Sequence, residues 1–594
     1  MTSIKFALLS GACMGAALIS MPVSSQGQKA LFGELHMHTS WSFDAYIFRV
    51  RASPADAYNF AKGGPLKHPL GKTYQLSRPL DFLAVTDHAA YMGAIPKMAE
   101  ENHPYSKLSL AKSILDPDPE IMIEGFQEFI LSIGSGKAIE EISDINIQRE
   151  TWGQMIKAAN DAYEPGKFTS LIGFEWTSSP DDENLHRNVI FKGDSAPLPF
   201  TIFDSDKPED LWTWMDTVRA QGHELLAIPH NGNLSDGRMF EKQDSWDRPL
   251  TAGYADQRMR NEPLVEVTQV KGTSETHPFL SPNDEFADFE ILTYRIASKD
   301  PLSKHAGSYV RDAYRTGLEF QDTMGFNPYK FGLIGSTDSH TGISPIEEDK
   351  YSGKIGVADG SPAQRLQVPS AFMDNRQFSA SGLAAIWATE NTREAIYDAL
   401  ERKETWATSG PRISLRFFAG FDMDGIDPAT NGWVGKAYSR GVPMGGELKA
   451  SSAAGPPTFV VWALKDVEGA KLDRIQIVKG WSTEGVSQEK VFDVAWSGDR
   501  RFDPETGMLS PVTSSVDYKT LKTSPEYGAV QLQAVWQDPE FNVAENAFYY
   551  VRVLEVPTAR WNMYDARELG IENPPDLPQT IQERAYSSPI WYSW

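Results

Sequence analysis

Cysteine is almost absent from this chain of 594 residues. The single one, Cys13, lies in an N-terminal stretch with the layout of a secretory signal peptide. In this stretch Lys5 precedes the apolar residues 6–21, and the small residues Ser24 and Ser25 follow. We therefore predict that residues 1–25 are a cleaved leader and that the mature protein is secreted, to the periplasm. A mature chain without cysteine would form no disulfide and would offer no thiolate to a metal ion.

Long apolar runs and basic residues are scarce as well. Beyond the leader no segment is apolar over the length that a bilayer requires, so we expect no transmembrane segment in the mature chain. The 56 lysines and arginines face 80 acidic residues, which gives a formal net charge of −24. So acidic a surface repels polyanions and argues against duplex nucleic acid as a partner. The remaining composition is that of a globular protein, long enough for roughly two to four domains.

Histidine is also uncommon, with 11 residues, yet most of them fall into an ordered series of metal-ligand-type side chains. Most members of this series lie at or just past the end of a short apolar run. Barrel enzymes build their sites in this way, at the carboxyl ends of buried strands. The series therefore predicts a metal site, and its members are His36, His38, Asp44, His88, Glu175, His186, His230, Asp338 and His340.

The apolar runs predict an α/β fold. Most of them are continuous rather than alternating, which is typical of parallel strands that are covered on both faces. Helical patterns such as 152–162 and 208–221 lie between them, and this alternation favours a TIM-like α/β barrel over a sandwich. The long intervals 92–150 and 231–263 are interpreted as insertions over the mouth of the barrel. The predicted strands are 31–38, 80–86, 170–175, 188–191, 225–229, 264–270 and 331–336.

The C-terminal part has a different pattern of predicted secondary structure. From about residue 413, short strand patterns follow one another with turns instead of helices between them, which suggests an antiparallel sandwich. We therefore predict a metal-binding barrel domain over residues 26–415 and a β-rich domain over residues 416–594.

The ligand types indicate hydrolysis. Alternate residues share one face of a strand, so His36 and His38 would reach the same ion. Imidazole suits zinc, iron or manganese, and a carboxylate such as Glu175 can bridge two ions. Bound divalent metals convert water to hydroxide near neutral pH. We therefore expect divalent ions (Zn, Mn or Fe), two of them bridged by Glu175, with Glu175 and Asp338 as catalytic residues as well as ligands.

The order of the motifs resembles that of the PHP (polymerase and histidinol phosphatase) metallohydrolases. Three sequence segments, 33–38, 264–277 and 334–340, resemble more closely a secreted bacterial family known as domain of unknown function 3604. The resemblance implies a distorted (β/α)7 barrel with up to three metal ions. It would assign His36, His38, Glu175 and Asp338 to the first ion, Glu175, His186 and His230 to the second, and Asp44, His88 and His340 to the third.

Positive charge and aromatic rings near the ligands suggest substrate contacts. Lys271 and Arg187 are candidates for binding an anion, and Trp41 and Trp176 could form a platform for a sugar, a base or an aryl group. His277 is a candidate acid–base residue. The predicted function is hydrolysis of a small anionic substrate, most simply a phosphate ester. The same chemistry on a phosphonate, sulfate ester, amide or lactone stays open, as does a non-catalytic metal-binding or glycan-binding role.

Overall fold

The computed structural model describes residues 27–295, 304–367, 374–450, 455–512 and 516–594. The predicted leader and Cys13 lie outside the described residues. Within these ranges, no helix is both long and apolar enough to cross a membrane. The chain is a mixed α/β protein, as the alternating patterns predict, and its strands form one large mixed sheet and several smaller sheets.

All seven predicted strands are present, with small shifts of their ends. The two helices that were predicted from periodicity are also present, and the first begins earlier than expected, at Ile145. The strands are Lys29–Met37 (β1), Phe82–Val85 (β2), Thr169–Trp176 (β3), Arg187–Phe191 (β4), Leu225–Pro229 (β5), Leu264–Gln269 (β6) and Gly332–Gly335 (β7). The α-helices are Phe43–Ile47 (α1), Pro54–Ala61 (α2), Ala94–Met98 (α3), Ser109–Ile114 (α4), Pro119–Ser135 (α5), Ile145–Ala162 (α6), Pro208–Ala220 (α7), Ala252–Asn261 (α8), Val310–Met324 (α9), Gly356–Asp359 (α10), Pro362–Arg365 (α11), Arg393–Glu401 (α12), Trp433–Arg440 (α13) and Trp561–Leu569 (α14).

The direction of one strand differs from the expectation. Strands β1, β2 and β3 are parallel neighbours, but β4 is antiparallel to both β3 and β5. Only residues 177–186 connect β3 to β4, and a parallel neighbour would need a crossover of about a dozen residues or more. The prediction of parallel strands is therefore wrong at β4. Its reversal places the start of β4 beside the carboxyl end of β3.

Strands β6 and β7 are parallel to each other in a separate small sheet. The residues that follow β7 return to the end of β1, because the backbone N–H of His38 donates to Ser339 O at 2.8 Å and that of Asp338 donates to His36 O at 3.0 Å. The carboxyl ends of β1 and β7 therefore meet. A complete (β/α)7 barrel stays a prediction.

The C-terminal part is rich in strands and is hydrogen-bonded to the sheet that carries β1. The further strands of four or more residues are Leu383–Ala388 (β8), Thr405–Thr408 (β9), Ser414–Gly420 (β10), Thr458–Leu464 (β11), Leu472–Thr483 (β12), Val486–Trp496 (β13), Gln531–Gln537 (β14), Asn546–Glu555 (β15), Arg584–Ser587 (β16) and Ile590–Ser593 (β17). Strand β8 pairs with β1 and β9, and β16 joins β9 to β15. Strand β10 crosses residue 415 and pairs with β11 in a second sheet. The sandwich and the domain boundary stay predictions.

The last strand, β17, should be indispensable for solubility. Ile590, Trp591 and Tyr592 are almost fully buried, and β17 pairs with β15. A chain that ends before Ser587 would lack β17, expose the residues of β15 that pair with it and leave an open sheet edge, so we expect it to be insoluble. The measurement is the soluble fraction after expression. Removal of Trp594 alone, a residue that is 73% exposed, is the matched control and should have no effect. A soluble and active truncated chain would show that this strand is dispensable.

Candidate metal centre

The predicted ligands converge in one place. Their side chains lie at or beyond the carboxyl ends of β1, β2, β3, β5 and β7, and His186 lies just before the reversed strand β4. All nine are buried, with at most 9% of their surface exposed. Three groups have their donor atoms within 4.8 Å of one another. They are His36, His38 and Glu175; Glu175, His186 and His230; and His38, His88 and His340.

Glu175 lies between these groups. One carboxylate oxygen, Oε2, is 3.0 Å from His38 Nε2 and 3.2 Å from His88 Nδ1. The other, Oε1, is 2.6 Å from His186 Nδ1 and 3.2 Å from His230 Nε2. Because each oxygen faces a different set of imidazoles, the carboxylate has the placement that a bridge between two ions requires.

Two further carboxylates complete the cluster. Asp44 Oδ2 lies 3.3 Å from His88 Nε2 and 2.8 Å from His340 Nε2. Asp338 Oδ1 lies 3.4 Å from His36 Nε2. The structure thus brings together the three sets that the family resemblance implies, while their role as ligands stays a prediction.

The donor set fits divalent cations. His36 Nε2 and His38 Nε2 are only 3.2 Å apart, and among the described residues Asp44 Oδ1 and His230 Nδ1 are buried without a hydrogen-bond partner. Burial lowers the pKa of His186 to about 4 and holds that of His38 well below its usual range. These rings are therefore neutral at pH 7, and neutral imidazole is the form that binds a metal.

The carboxylate of Glu175 is ionised because its charged neighbours outweigh the effect of burial. Burial alone would raise the pKa of Glu175, but the attraction of His88, His186 and His230 outweighs it and holds this pKa well below its usual range. Burial alone would lower the pKa of His36 and His88, but the neighbouring carboxylates outweigh it, raise the pKa of His36 to about 10 and also raise that of His88. Without a metal ion the cluster therefore combines neutral and protonated imidazoles with charged carboxylates, and its N and O donors are of the types that suit zinc, iron or manganese.

Polar partners fix the orientation of the imidazole rings. The carboxylate of Glu266 lies 3.1 Å from His36 Nδ1, and the hydroxyl of Ser42 lies 2.8 Å from His38 Nδ1. Ser42 in turn donates to Asp87 at 2.8 Å, so Asp87 supports a neighbouring candidate ligand. Such partners set the tautomer and the direction of a ligand.

Two other hydroxyls act in the same way on His88 and His186, and a lysine lies beside His340. Thr177 lies 2.6 Å from His88 Nδ1, Ser179 lies 2.8 Å from His186 Nε2, and Lys354 Nζ lies 2.7 Å from His340 Nδ1. Sequence reasoning missed all three. Thr177 and Ser179 follow β3 closely, which was a usable signal, whereas Lys354 has no motif around it.

Two buried lysines stand beside Asp338. Lys271 Nζ is 2.5 Å from Asp338 Oδ2, and Lys354 Nζ is 3.4 Å from Oδ1. Burial alone would raise the pKa of Asp338, but Lys271, Lys354 and His36 together hold it well below its usual range. The site therefore contains fixed positive charge that belongs to the chain itself.

The family model described as "Protein of unknown function (DUF3604)" matches residues 25–594. The chain belongs to the DUF3604 family. Among curated proteins, none matches it. The chain is also similar to a solved structure from Bacteroides vulgatus, a two-domain protein described as containing a predicted PHP-like metal-dependent phosphoesterase. The identity is 11% and the TM-score 0.29, over 94% of this chain and 96% of that one.

The candidate metal centre of this DUF3604 protein opens into a cavity of about 870 Å³. Asp44, His88, Glu175, His186, Asp338 and His340 line it, together with Lys271 and Lys354. His36, His38 and His230 are not among its lining residues, and they lie behind Glu175. A molecule in this cavity would therefore contact the outer part of the centre.

Four predicted site residues do not line the cavity. Arg187 forms a buried ion pair with Glu262 at 2.9 Å, and Trp176 is fully buried, with the Arg187 guanidinium 5.8 Å from its ring. Trp41 packs, partly buried, against the main hydrophobic core. His277 stacks on His305 at 4.0 Å and accepts a hydrogen bond from Phe279 N. In this geometry a substrate in the cavity would meet Lys271 but none of these four.

Proposed function

We propose that this protein is a secreted, multinuclear, metal-dependent hydrolase that acts on a small phosphate ester and uses two or three divalent ions of zinc, manganese or iron. The observation that carries the proposal is the position of Glu175 between three groups of buried imidazoles. A structural ion needs one closed set of ligands, whereas this shared carboxylate adjoins an open cavity.

The proposed ions would be held by the sets that share Glu175 and by Asp44 with His88 and His340. When bound there, they would supply Lewis-acid activation of water and neutralisation of negative charge. Asp338 has a second task, because its two oxygens face Lys271 and Lys354. It therefore holds both lysines, which line the cavity.

The charge of the centre favours an anion. Two or three divalent ions would exceed the charge of the carboxylates of Asp44, Glu175 and Asp338, and the two lysines add further positive charge. Fixed positive groups in a site from which water is largely excluded stabilise negative charge that develops on a phosphoryl group. Lys271 and Lys354 would therefore bind and orient the phosphate oxygens.

The same centre could act on a different bond. Hydrolysis of a phosphonate, sulfate ester, amide or lactone needs the same activated water, and the donor set does not distinguish among these substrates. A non-catalytic metal-binding or glycan-binding protein is the remaining alternative. The cavity beside the ligands favours catalysis, since metal storage needs no space for a second molecule.

The finer fold and the location belong to the same proposal. A distorted (β/α)7 barrel is supported by the meeting of β1 with the end of β7 and by the ligands at the shared ends of the strands. A β-rich domain from residue 416 would pack against it. Export is supported by the leader pattern in residues 1–25, and a fractionation experiment that finds the protein in the cytoplasm would contradict it.

The test combines metal analysis with a substrate screen. We expect the purified protein to contain two or three divalent ions per chain and to hydrolyse phosphomonoesters faster than phosphodiesters or sulfate esters. Phosphate release is measured before and after chelation, and activity should return when metal is added back. If the metal-loaded protein cleaves sulfate esters but no phosphate ester, the proposed substrate class is wrong and sulfate esters take its place. A metal-loaded protein that cleaves nothing would favour the binding alternative.

A further inference from the structure

The cavity has an apolar part that the metal centre does not explain. Beyond the candidate ligands, one of its walls is built mainly from hydrophobic side chains, and Arg49 and Gln127 are its polar members. We call this wall the apolar chamber. It consists of Phe43, Phe48, Met122, Ile123, Phe126, Ile130, Leu131 and Ile355, with Pro117 and Pro119 at its edge.

Helix α5 provides most of the apolar chamber. The helix starts at a cap in which the Asp118 side chain accepts from Glu120 N, and it belongs to the insertion 92–150 that was expected to cover the mouth of the site. One side of the helix packs into the core through residues such as Phe129. A second apolar side, with Ile123, Phe126 and Ile130, is only half-buried and faces the cavity.

This second side is unusual for a helix over a polar site. An amphipathic helix normally keeps its apolar residues against the core and its polar residues toward water. Here Leu131 is 72% exposed, and the half-buried Ile123 and Ile130 face the space beside the ligands. When an apolar molecule covers such a surface and displaces the water, apolar area is removed from water and the free energy falls.

The apolar chamber is continuous with the metal centre. Phe43 makes the connection, since its ring lies 4.9 Å from the ring of His88 and 6.4 Å from that of Phe126. Phe126 in turn meets Phe48 at 5.3 Å. A molecule whose charged group reaches the ligands would therefore extend directly along these rings.

We propose that the substrate is a phosphate monoester of an apolar alcohol, either a medium-length alkyl chain or a phenol. The inference rests on the proposed function and names its substrate class. The phosphate would lie near Lys271 and Lys354, and the hydrocarbon would lie against α5. The cavity volume of about 870 Å³ falls in the range of roughly 300–1,000 Å³ that accommodates small organic ligands.

The reaction on this substrate is a balanced hydrolysis. Water adds to phosphorus, the bond between phosphorus and the alcohol oxygen breaks, and that oxygen takes up the proton that the water loses. The products are inorganic phosphate and an apolar alcohol. Because the alcohol has no charge, it can leave through the apolar chamber after the cleavage.

A polar leaving group is the competing possibility. Gln364, Gln367 and Asn375 also line the cavity, and they could bind the hydroxyls of a sugar. A sugar, however, would leave the apolar chamber in contact with water or with hydroxyl groups that find no partner there. The chamber therefore favours the hydrocarbon, and a sugar phosphate serves as the comparison in the test.

Binding of alkylphosphonates to the full-length, metal-loaded protein tests the inference without requiring turnover. Ethyl-, butyl-, hexyl- and octylphosphonate are titrated by calorimetry below their micelle concentrations. Burial of a methylene stabilises by about 0.8 kcal/mol, which corresponds to about fourfold in affinity. We therefore expect the dissociation constant to fall about two- to fourfold per methylene until the chamber is filled.

Substitutions on the two sides of α5 provide matched variants. Ile123→Asn and Ile130→Asn should bind ethylphosphonate as the wild type does, but should lose most of the increase in affinity that a longer alkyl chain gives. Glu124→Gln and Glu128→Gln, on the exposed side of the same helix, should keep it. Circular dichroism checks that all four variants are folded.

The outcomes separate this inference from the proposed function. Affinity that is independent of chain length, or absent for every phosphonate, overturns the inference, as does faster hydrolysis of glucose 6-phosphate than of octyl phosphate. Hydrolysis of short and long esters at equal rates overturns it while leaving the phosphoesterase in place. Affinity that rises with chain length without hydrolysis of any ester supports the chamber and overturns the proposed function.

Discussion

Replacing Glu175 with glutamine should remove most of the activity and part of the metal while leaving the protein folded. The substitution takes away the negative charge that four imidazoles approach within 3.2 Å. An amide oxygen is a weaker ligand and cannot bridge two cations as a carboxylate does. We expect kcat/KM to fall by about 100-fold or more, since changes in the groups that merely support ligands already cost about 10- to 100-fold.

The fold should survive the substitution because glutamine has nearly the same shape as glutamate and the apolar residues of β3 are unchanged. Metal content is measured by elemental analysis, and folding by thermal unfolding. His277→Ala is the matched control, since His277 stacks on His305 and does not line the cavity. It should keep its full metal content. A fully metallated Glu175→Gln protein with the wild-type rate would refute the bridging role. Equal metal loss in both variants would make His277 a ligand.

Removal of the metal should abolish activity and also lower the melting temperature. Six imidazoles and three carboxylates are buried in one cluster, and an ion that binds them only in the folded state stabilises that state. At a free concentration of about 1,000 times Kd, one ion contributes about 4 kcal/mol. For a protein of this size, the loss of two ions should lower Tm by on the order of 5 °C or more.

The measurement is thermal unfolding before and after chelation, and again after the addition of zinc, manganese or iron. The ion that restores both Tm and activity identifies the metal. Glu175→Gln serves as the comparison, because a protein that has already lost part of its metal should shift less on chelation. An unchanged Tm in the wild type, with metal removal verified by elemental analysis, would show that the cluster is stable without ions and would argue against a metal centre.

The ligand series was visible in the sequence for a simple reason. His36, Glu175 and His230 lie at or just past the ends of apolar runs, and strand ends that share one edge of a sheet bring such residues together. The runs themselves are unambiguous, because a strand that is buried on both faces has hardly any polar residue. The seven strands and the mixed α/β class could therefore be predicted without knowledge of any contact.

His186 marks the first limit of this reasoning. It precedes its strand, so a rule based on parallel strands gives it no place in the site. The reversal of β4 brings its first residues beside the end of β3, where Trp176 pairs with Arg187. Strand direction also depends on the length of the connection and on the available neighbours, and a continuous apolar run does not fix the direction of any single strand.

Substrate contacts were less predictable than ligands. Charge or aromaticity near a ligand in sequence suggested Arg187, Trp41 and Trp176, yet these three side chains are used for an ion pair and for the core. In a strand, successive side chains point to opposite faces, so a residue next to a ligand points away from it. This explains why Trp176, directly after Glu175, lies inside the core.

Only the tertiary structure showed that Lys354 and the apolar chamber lie beside the candidate metal ligands. Lys354 belongs to a segment without regular structure, and most of the chamber is contributed by α5 from an insertion that is distant from every candidate ligand in sequence. The sequence by itself determined the strands and the ligand types, because both follow from local patterns of burial and chemistry. Which distant side chains face the ligands depends on how the loops and the insertion pack, and that is decided by the whole fold.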